Sequence, residues 1–252
     1  MSEGFVKSEI QNKIAEVTFY HPKSNSLPLG LLNEMISIFE NLSNNSEANV
    51  ILLKSKGEKT FCAGASFDEL LEIKDFEGGK RFFMGFARLI NAMRKCSKII
   101  VGRVQGKVVG GGVGLVAACD YSFGTINAAL RLSELAIGLG PFVVGPPIER
   151  KIGKEAFIEM SLDCEWRSPE WAKEKGFYHD ICNSVLELDD AVENFAKELS
   201  ERNPDALRRI KHIYWEGTEH WDKLLEERAE YSGELVLSDH TKNFIQKFKS
   251  NS

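Results

Sequence analysis

Two short segments concentrate small residues where chemistry on a carbonyl group could be carried out. Phe61-Cys62-Ala63-Gly64-Ala65-Ser66 follows the apolar run Val50–Leu53, and Gly110-Gly111-Gly112-Val113-Gly114 follows Ile99–Val104. Glycine and alanine permit close backbone approach, and a helix beginning after such a loop leaves its first N–H groups without intrahelical acceptors. Two such N–H groups facing one another make an oxyanion hole, which stabilises charge developing on a carbonyl oxygen. Taken singly, each loop is explained more simply as a tight strand-to-helix turn. Competing chemistries lack their motifs. There is no GxxxxGK[ST] and no GxGxxG placed ahead of an acidic residue. Histidines 21, 179, 212, 220 and 240 show neither HxxxH nor HExxH spacing, so no metal site is expected. Ser66 has no GxSxG context for a hydrolase nucleophile.

The elements that must hold these loops follow from periodicity. Residues 5–10 and 14–20 read as strands around a turn, and Leu32, Met35, Ile36, Phe39 and Leu42 recur at helical spacing. Val50–Leu53 and Ile99–Val104 are continuously apolar, as in strands buried on both faces. Helices are expected over 79–96 and 115–119, and a strand over 121–126. The alternation argues for an α/β domain with substantially parallel strands. Beyond Ser168-Pro169-Glu170 the pattern turns helical, with helices expected over 189–202, 204–217, 219–235 and 239–249. This divides the chain into a core, 1–190, and a helical C-terminal region, 191–252, whose leftover Phe244 and Phe248 are expected to face another subunit.

Bulk properties exclude several classes. With 252 residues, 43% of them hydrophobic and 27% charged, the chain is neither disordered nor collagen-like, and it has ample material for a core. The net charge of −5 gives no whole-chain footprint for nucleic acid; the one basic run, Arg208-Arg209-Ile210-Lys211-His212, reads as a solvated helix face or a neighbour of a bound phosphate. The five cysteines form no CxxC pair and read as reduced, mostly buried thiols. The most apolar stretch, 108–119, carries four glycines and is too short to span a bilayer. The expectation is a soluble cytoplasmic protein with no membrane or nucleic-acid partner.

The motifs together resemble the crotonase, or enoyl-CoA hydratase/isomerase, superfamily. FCAGASFDEL is similar to its FxAGADxxE[LM] loop, VQGKVVGGGVGLVAACDYSFGT to its second signature and LSELAIGLGP to its third. HPKSNSL, SPEWAKEKGF and FIQKFK resemble three further segments in the family's order, so the resemblance covers residues 5–249. It implies a spiral of ββα units in two roughly perpendicular sheets, with a helical C-terminal trimerisation region and assembly into trimers or hexamers. It also implies an acyl-CoA substrate, with coenzyme A as part of that substrate and no separate cofactor. By the same resemblance the backbone N–H groups of Ala65 and Gly111 form the oxyanion hole. Carbonyls of Ala63, Gly64 and Ala65 bind adenine, and Lys23 and a neighbouring subunit's Lys247 approach the CoA phosphates. Glu134 becomes the catalytic carboxylate. Its apolar neighbours (Leu130, Leu132, Leu135, Ile137) should raise its pKa towards neutrality, whereas the plainer alternative is a surface glutamate at a strand end.

The sequence also departs from the family. Many family hydratases carry a first glutamate three residues after the middle oxyanion glycine, and here that position is Gly114. A single carboxylate either hydrates a 2-enoyl-CoA through one water or shifts a double bond. Hydration by Glu134 ranks first, isomerisation second, and a non-catalytic acyl-CoA-binding subunit third. Arg131 stands where the family has small or apolar residues, facing outward or else pairing with Glu134 or with the far carboxylate of a dicarboxylic acyl group. Asp68 and Glu69 read as solvent-facing first-turn acids. Gly140-Pro141-Phe142-Val143-Val144-Gly145-Pro146-Pro147 replaces the family's P-x-x-G-G loop and is expected to line the acyl pocket with apolar bulk.

Overall fold

The computed structural model describes residues 4–250, with side chains described as far as Phe244. Lys247 and Phe248 therefore lie outside the described side chains. Strands β1 (Phe5–Gln11) and β2 (Ile14–Tyr20) form an antiparallel hairpin. Its turn residues Asn12 and Lys13 both have positive φ, the pairing that matches the twist of a two-residue hairpin. Helix α1 (Leu29–Asn44) leads to β3 (Val50–Ser55), β4 (Thr60–Cys62), α2 (Phe67–Glu72) and α3 (Phe76–Lys95). Next come β5 (Ile99–Val104), β6 (Lys107–Val109), α4 (Gly111–Ala117), β7 (Tyr121–Thr125) and β8 (Leu130–Arg131). A 3-10 turn (Leu135–Ile137) precedes α5 (Gly145–Ile152), α6 (Lys154–Asp163), α7 (Pro169–Glu174) and β9 (Asp180–Cys182). The chain closes with α8 (Val185–Ser200), α9 (Pro204–Tyr214), α10 (Trp221–Leu235) and α11 (Asp239–Ser250).

From β3 onward successive strands alternate between two sheets. One has the order β1-β2-β3-β5-β7-β9 and the other β4-β6-β8, with every pairing except β1–β2 parallel. Each circuit of the chain thus adds one strand to each sheet, which is the ββα spiral implied by the resemblance. The apolar run Val50–Leu53 is explained by burial on both faces. Ile51, Leu53 and Ile100 enter the main core with residues of α1 and α3, while Val50, Leu52, Ile99 and Val101 pack with Leu188, Val192 and Ala196 of α8. The division expected at 190/191 falls inside α8, whose apolar face covers the larger sheet.

Local pattern and structure differ where packing overrides propensity. A helix was expected from Leu115, but α4 begins at Gly111, inside the glycine cluster. Surrounding side chains press on the bare Cα atoms there, so tertiary contacts hold a sequence with poor helix propensity. Strands β4, β6, β8 and β9 have three residues or fewer, too short to show a period. The basic run on α9 is not one solvated face. Lys211 is buried and paired with buried Asp120 at 2.8 Å, and it also donates to the Lys98 carbonyl at 2.8 Å. Asp120 further accepts from Trp215 Nε1 and Ile100 N, so the buried charges are fully bonded. All five cysteines are free and buried. Among the described residues no helix is long and apolar enough to cross a membrane, and no cluster of His, Cys, Asp and Glu has metal-site geometry.

Helix α10 folds back against α3 through a bare crossing. A Cβ on Gly79 would lie 2.9 Å from Gly233 Cα, and one on Gly233 would lie 2.8 Å from Lys80 N. Lys80 spans the same crossing to Glu226 and Glu230 at 2.9 and 2.7 Å. Backbone overlap costs more than an exposed ion pair contributes. Gly233→Val should therefore lower unfolding free energy by about 1–3 kcal/mol, and Lys80→Ala by clearly less, measured by urea denaturation. A reversed order would show that the ion pairs, and not the close approach, hold α10.

Candidate active site

The three parallel strands β4, β6 and β8 pair in register Cys62↔Val108↔Leu130, so the segments leaving their carboxyl ends lie side by side. Those segments are 63–66, 110–111 and 132–134, which brings together Ala65, Gly111 and Glu134 from distant parts of the sequence. The first two loops touch: a Cβ on Gly64 would lie 2.9 Å from the Val109 carbonyl oxygen and 3.0 Å from Gly111 N. Gly64 (φ 87°) and Gly110 (φ 53°) both adopt left-handed backbone that side-chain-bearing residues disfavour. Gly110 N donates to the Arg131 carbonyl at 2.9 Å, tying the second loop to the third.

The segment 21–27 laces the first loop in place. Ala63 N donates to the Ser24 carbonyl, and Leu27 N donates to the Gly64 carbonyl at 2.8 Å. Buried Asn25 donates from Nδ2 to the Lys56 and Thr60 carbonyls at 2.7 and 2.9 Å, while its Oδ1 accepts from His21 N. Ser66 Oγ caps α2 by accepting from Glu69 N. Neither the Ala65 N–H nor the Gly111 N–H donates to another described residue, and Gly111 opens α4, where no intrahelical acceptor exists. Both donors remain available to a carbonyl oxygen.

Glu134 lies just beyond β8, and it is not a surface glutamate. Its carboxyl abuts Gly110, with Oε1 3.1 Å from where a Cβ on that residue would be, and Oε2 is buried without a hydrogen-bond partner. Burial pushes the carboxyl pKa up to about 7, opposed by the N–H groups of Glu134 and Ser133. Such a group both accepts and returns a proton near neutral pH. It faces a cavity of about 140 Å³ walled mainly by apolar side chains, among them Phe82, Phe86, Leu139, Phe142 and Val144. As expected, the Gly140–Val144 segment supplies apolar wall.

Two contacts here were invisible in the sequence. A Cβ on Gly111 would lie 2.5 Å from Cε1 and Cζ of Phe86, whose ring seats the first turn of α4. A Cβ on Gly114 would lie 2.5 Å from Val144 Cγ1 and 2.6 Å from Val144 Cβ, so valine fills the space where a first carboxylate would begin. Phe86 was legible as a buried helix residue and Val144 as pocket wall, but their partners are 25 and 30 positions away in sequence.

The remaining candidates are placed as follows. Lys23 is largely exposed and ion-paired to Asp68 on α2, adjoining the Ala63–Ala65 loop but outside the cavity. Asp68 is thus paired, and Glu69 is not merely solvated: its Oε2 accepts from Leu29 N at 2.8 Å, capping α1, whose own cap residue Pro28 offers no side-chain acceptor. Arg131 does not meet Glu134. Its Nε donates to the Cys164 carbonyl at 2.6 Å, and its guanidinium lies over the Trp166 ring.

Burial of Glu134 carries a stability consequence with a definite sign. The folded carboxyl holds its proton to about pH 7 and the unfolded one only to its ordinary value of 4.5. The folded state therefore loses stability as pH rises between those values, by on the order of 3 kcal/mol in total. Glu134→Gln should gain on the parent protein over that interval, read as urea midpoints at pH 5 and pH 8. A difference independent of pH would mean that the carboxyl is solvated.

The comparisons with known proteins agree with this geometry. Residues 9–250 match the family described as enoyl-CoA hydratase/isomerase. A short-chain-enoyl-CoA hydratase of Clostridium acetobutylicum is 26% identical, covering 96% of this chain and 94% of its own. A peroxisomal Delta(3,5)-Delta(2,4)-dienoyl-CoA isomerase of Arabidopsis thaliana is 24% identical, over 94% of this chain and 92% of its own. A solved enoyl-CoA hydratase from Bacillus halodurans superposes with a TM-score of 0.89 at 23% identity, covering 96% of this chain and 99% of that one. A spiral that sets two loops of small residues beside one buried carboxyl, matched along nearly its whole length, is the crotonase fold, and the chain belongs to the enoyl-CoA hydratase/isomerase family.

Proposed function

We propose that this enzyme binds an acyl-CoA thioester and moves its double bond from the 3- to the 2-position, with Glu134 as the only acid/base. The thioester oxygen accepts from the N–H groups of Ala65 and Gly111. Glu134 carboxylate takes a proton from C2, and the electron pair left behind spreads through C2–C4 onto the oxygen as a dienolate. The protonated Glu134 then gives its proton to C4, the electrons close into a C2–C3 double bond, and the carboxylate is restored. Each backbone donor is worth about 3–4 kcal/mol to such a charged species. The carbonyls of Ala63, Gly64 and Ala65 take the adenine, while Lys23, released from Asp68, and Lys247 of a neighbouring subunit meet the CoA phosphates.

The observation that carries this reading is Val144 packed on Gly114. Hydration with two carboxylates needs a second one to hold a water at C3, and Val144 fills the space where a side chain at position 114 would begin. A 1,3-proton shift needs only one carboxyl. The sequence alone ranks hydration above isomerisation, and the Val144 contact reverses that order. Hydration of a 2-enoyl-CoA through Glu134 stays the second reading. It is favoured by the name of the Clostridium relative and by Ser66, Ser133 and Ser232 in the cavity wall, which offer a water polar partners.

The discriminating assay follows absorbance and product mass. A 3-enoyl-CoA should gain conjugated absorbance without change of mass, with kcat/KM rising as pH passes through about 7 and Glu134 ionises. Glu134→Gln should reduce turnover by roughly 10²–10⁴-fold while acyl-CoA still binds. A 2-enoyl-CoA losing absorbance and gaining one water mass, with the 3-enoyl ester inert, would establish the hydratase instead. Binding without any turnover would indicate a non-catalytic acyl-CoA subunit.

Trimeric or hexameric assembly belongs to the same proposal. Ile210, Ile213 and Tyr214 on α9, in the C-terminal helical region, expose apolar side chains that a subunit contact would cover. Light scattering should give three or six times the 28.3 kDa chain mass, and a stable monomer would refute it. Five buried free thiols support a reducing, cytoplasmic setting.

A further inference from the structure

We propose that the acyl group taken by this site ends in a carboxylate, which Arg228 holds in a second cavity behind Phe142. The inference rests on the acyl-CoA reading of the first cavity. The second cavity is about 300 Å³ and shares the wall Leu139–Phe142 with the one containing Glu134. Phe142 lines both cavities and stands in that shared wall. Its ring lies folded on the bare Cα of Gly140, so close that a Cβ there would be 2.4 Å from Phe142 Cζ. Turning this ring joins the two spaces. An acyl chain anchored in the first would then run on into the second.

The second cavity is largely apolar yet has a cation at its edge. Arg228, on α10, forms no ion pair among the described residues, although α10 is rich in acids. Four of those acids are engaged elsewhere: Glu226 and Glu230 bind Lys80, Glu227 accepts from the Tyr231 hydroxyl, and Asp222 pairs with Arg94 and Lys95. The Arg228 guanidinium lies 5.6 Å from the centre of the Tyr231 ring, and Tyr231 meets Phe142 edge-on at 6.0 Å. A continuous aromatic path therefore leads from the Glu134 cavity to a half-buried guanidinium whose in-plane donors meet no carboxylate among the described residues. A terminal acyl carboxylate would fill that vacancy with charge-assisted, bidentate bonds. A plain alkyl chain would not. Glu149 also lines this cavity, is exposed and opposes an anion, so the carboxylate is steered to the Arg228 side. Arg131, which from sequence was a candidate for the same task, is committed to the Cys164 carbonyl and Trp166.

The test uses saturated esters, so it does not depend on turnover. Calorimetry would compare glutaryl-, adipyl- and pimeloyl-CoA with pentanoyl-, hexanoyl- and heptanoyl-CoA, binding to the full chain. At one or more lengths the carboxylated ester should bind roughly tenfold or more tightly, within the range of a hydrogen bond to a charged group. Arg228→Gln should abolish that preference and leave the plain esters unchanged, while Glu149→Gln should enlarge it. Equal affinities at all three lengths, or a preference that survives Arg228→Gln, would overturn the proposal. A preference without turnover of any enoyl ester would sink the isomerase and hydratase readings and leave this one standing; turnover without a preference would do the reverse.

Discussion

The parallel pairing of three very short strands is the constraint on which the site depends. β4, β6 and β8 contribute three, three and two residues, yet their common direction and register align three chain segments at one end of the small sheet. Parallel strands need a crossover between them, and here each crossover passes through the larger sheet or its covering helices. The larger sheet supplies the burial that holds the small one in place. Two free N–H groups and a carboxyl can then converge although 69 positions separate Ala65 from Glu134.

Within that frame, close packing at glycines determines the chemistry. Phe86 occupies the space beside Gly111, which seats the first turn of α4 at the cavity wall with its first N–H unbonded among the described residues. Val144 occupies the space beside Gly114 and excludes any side chain from it. The missing carboxylate is therefore built into the packing on both sides: restoring a glutamate at 114 would require a smaller residue at 144 as well. Protein interiors are packed too tightly to absorb such a change without movement.

The electrostatics of the site follow from the same dryness. Glu134 has a raised pKa because water is kept from its carboxyl, not because another charge opposes it. Away from the site most buried charges are satisfied, Arg167 Nε being the other buried side-chain atom without a partner among the described residues. Lys211 and Asp120 are buried but fully bonded, whereas Lys23 and Asp68 meet at the surface beside the loop that laces the site. The contrast marks Glu134 Oε2 as a buried oxygen kept without a protein partner. That is the condition expected of a group whose partner is a substrate proton.

Much of this was legible from residues alone. The two small-residue loops stand out by composition, the buried strands by continuous apolar runs, and the long helices by period. Motif order over residues 5–249 pointed to the family and, through it, to Ala65, Gly111 and Glu134. Glu69 and Lys211 were misread as solvated because side chains of that type usually are. Burial of a charge depends on partners such as the Leu29 N–H and Asp120, which helical spacing cannot reveal.

The sequence by itself determined the longer strands and helices, the family and the absence of a carboxylate at position 114, because those depend on local period, residue type and motif order. Only the tertiary structure decided that Val144 fills that vacancy, that Arg131 faces away from Glu134, and that Phe142 separates two cavities. Each of these is a contact between segments remote along the chain. Side chains meet there because two sheets and their helices enclose a common space, and local patterns carry no information about which atoms will share it.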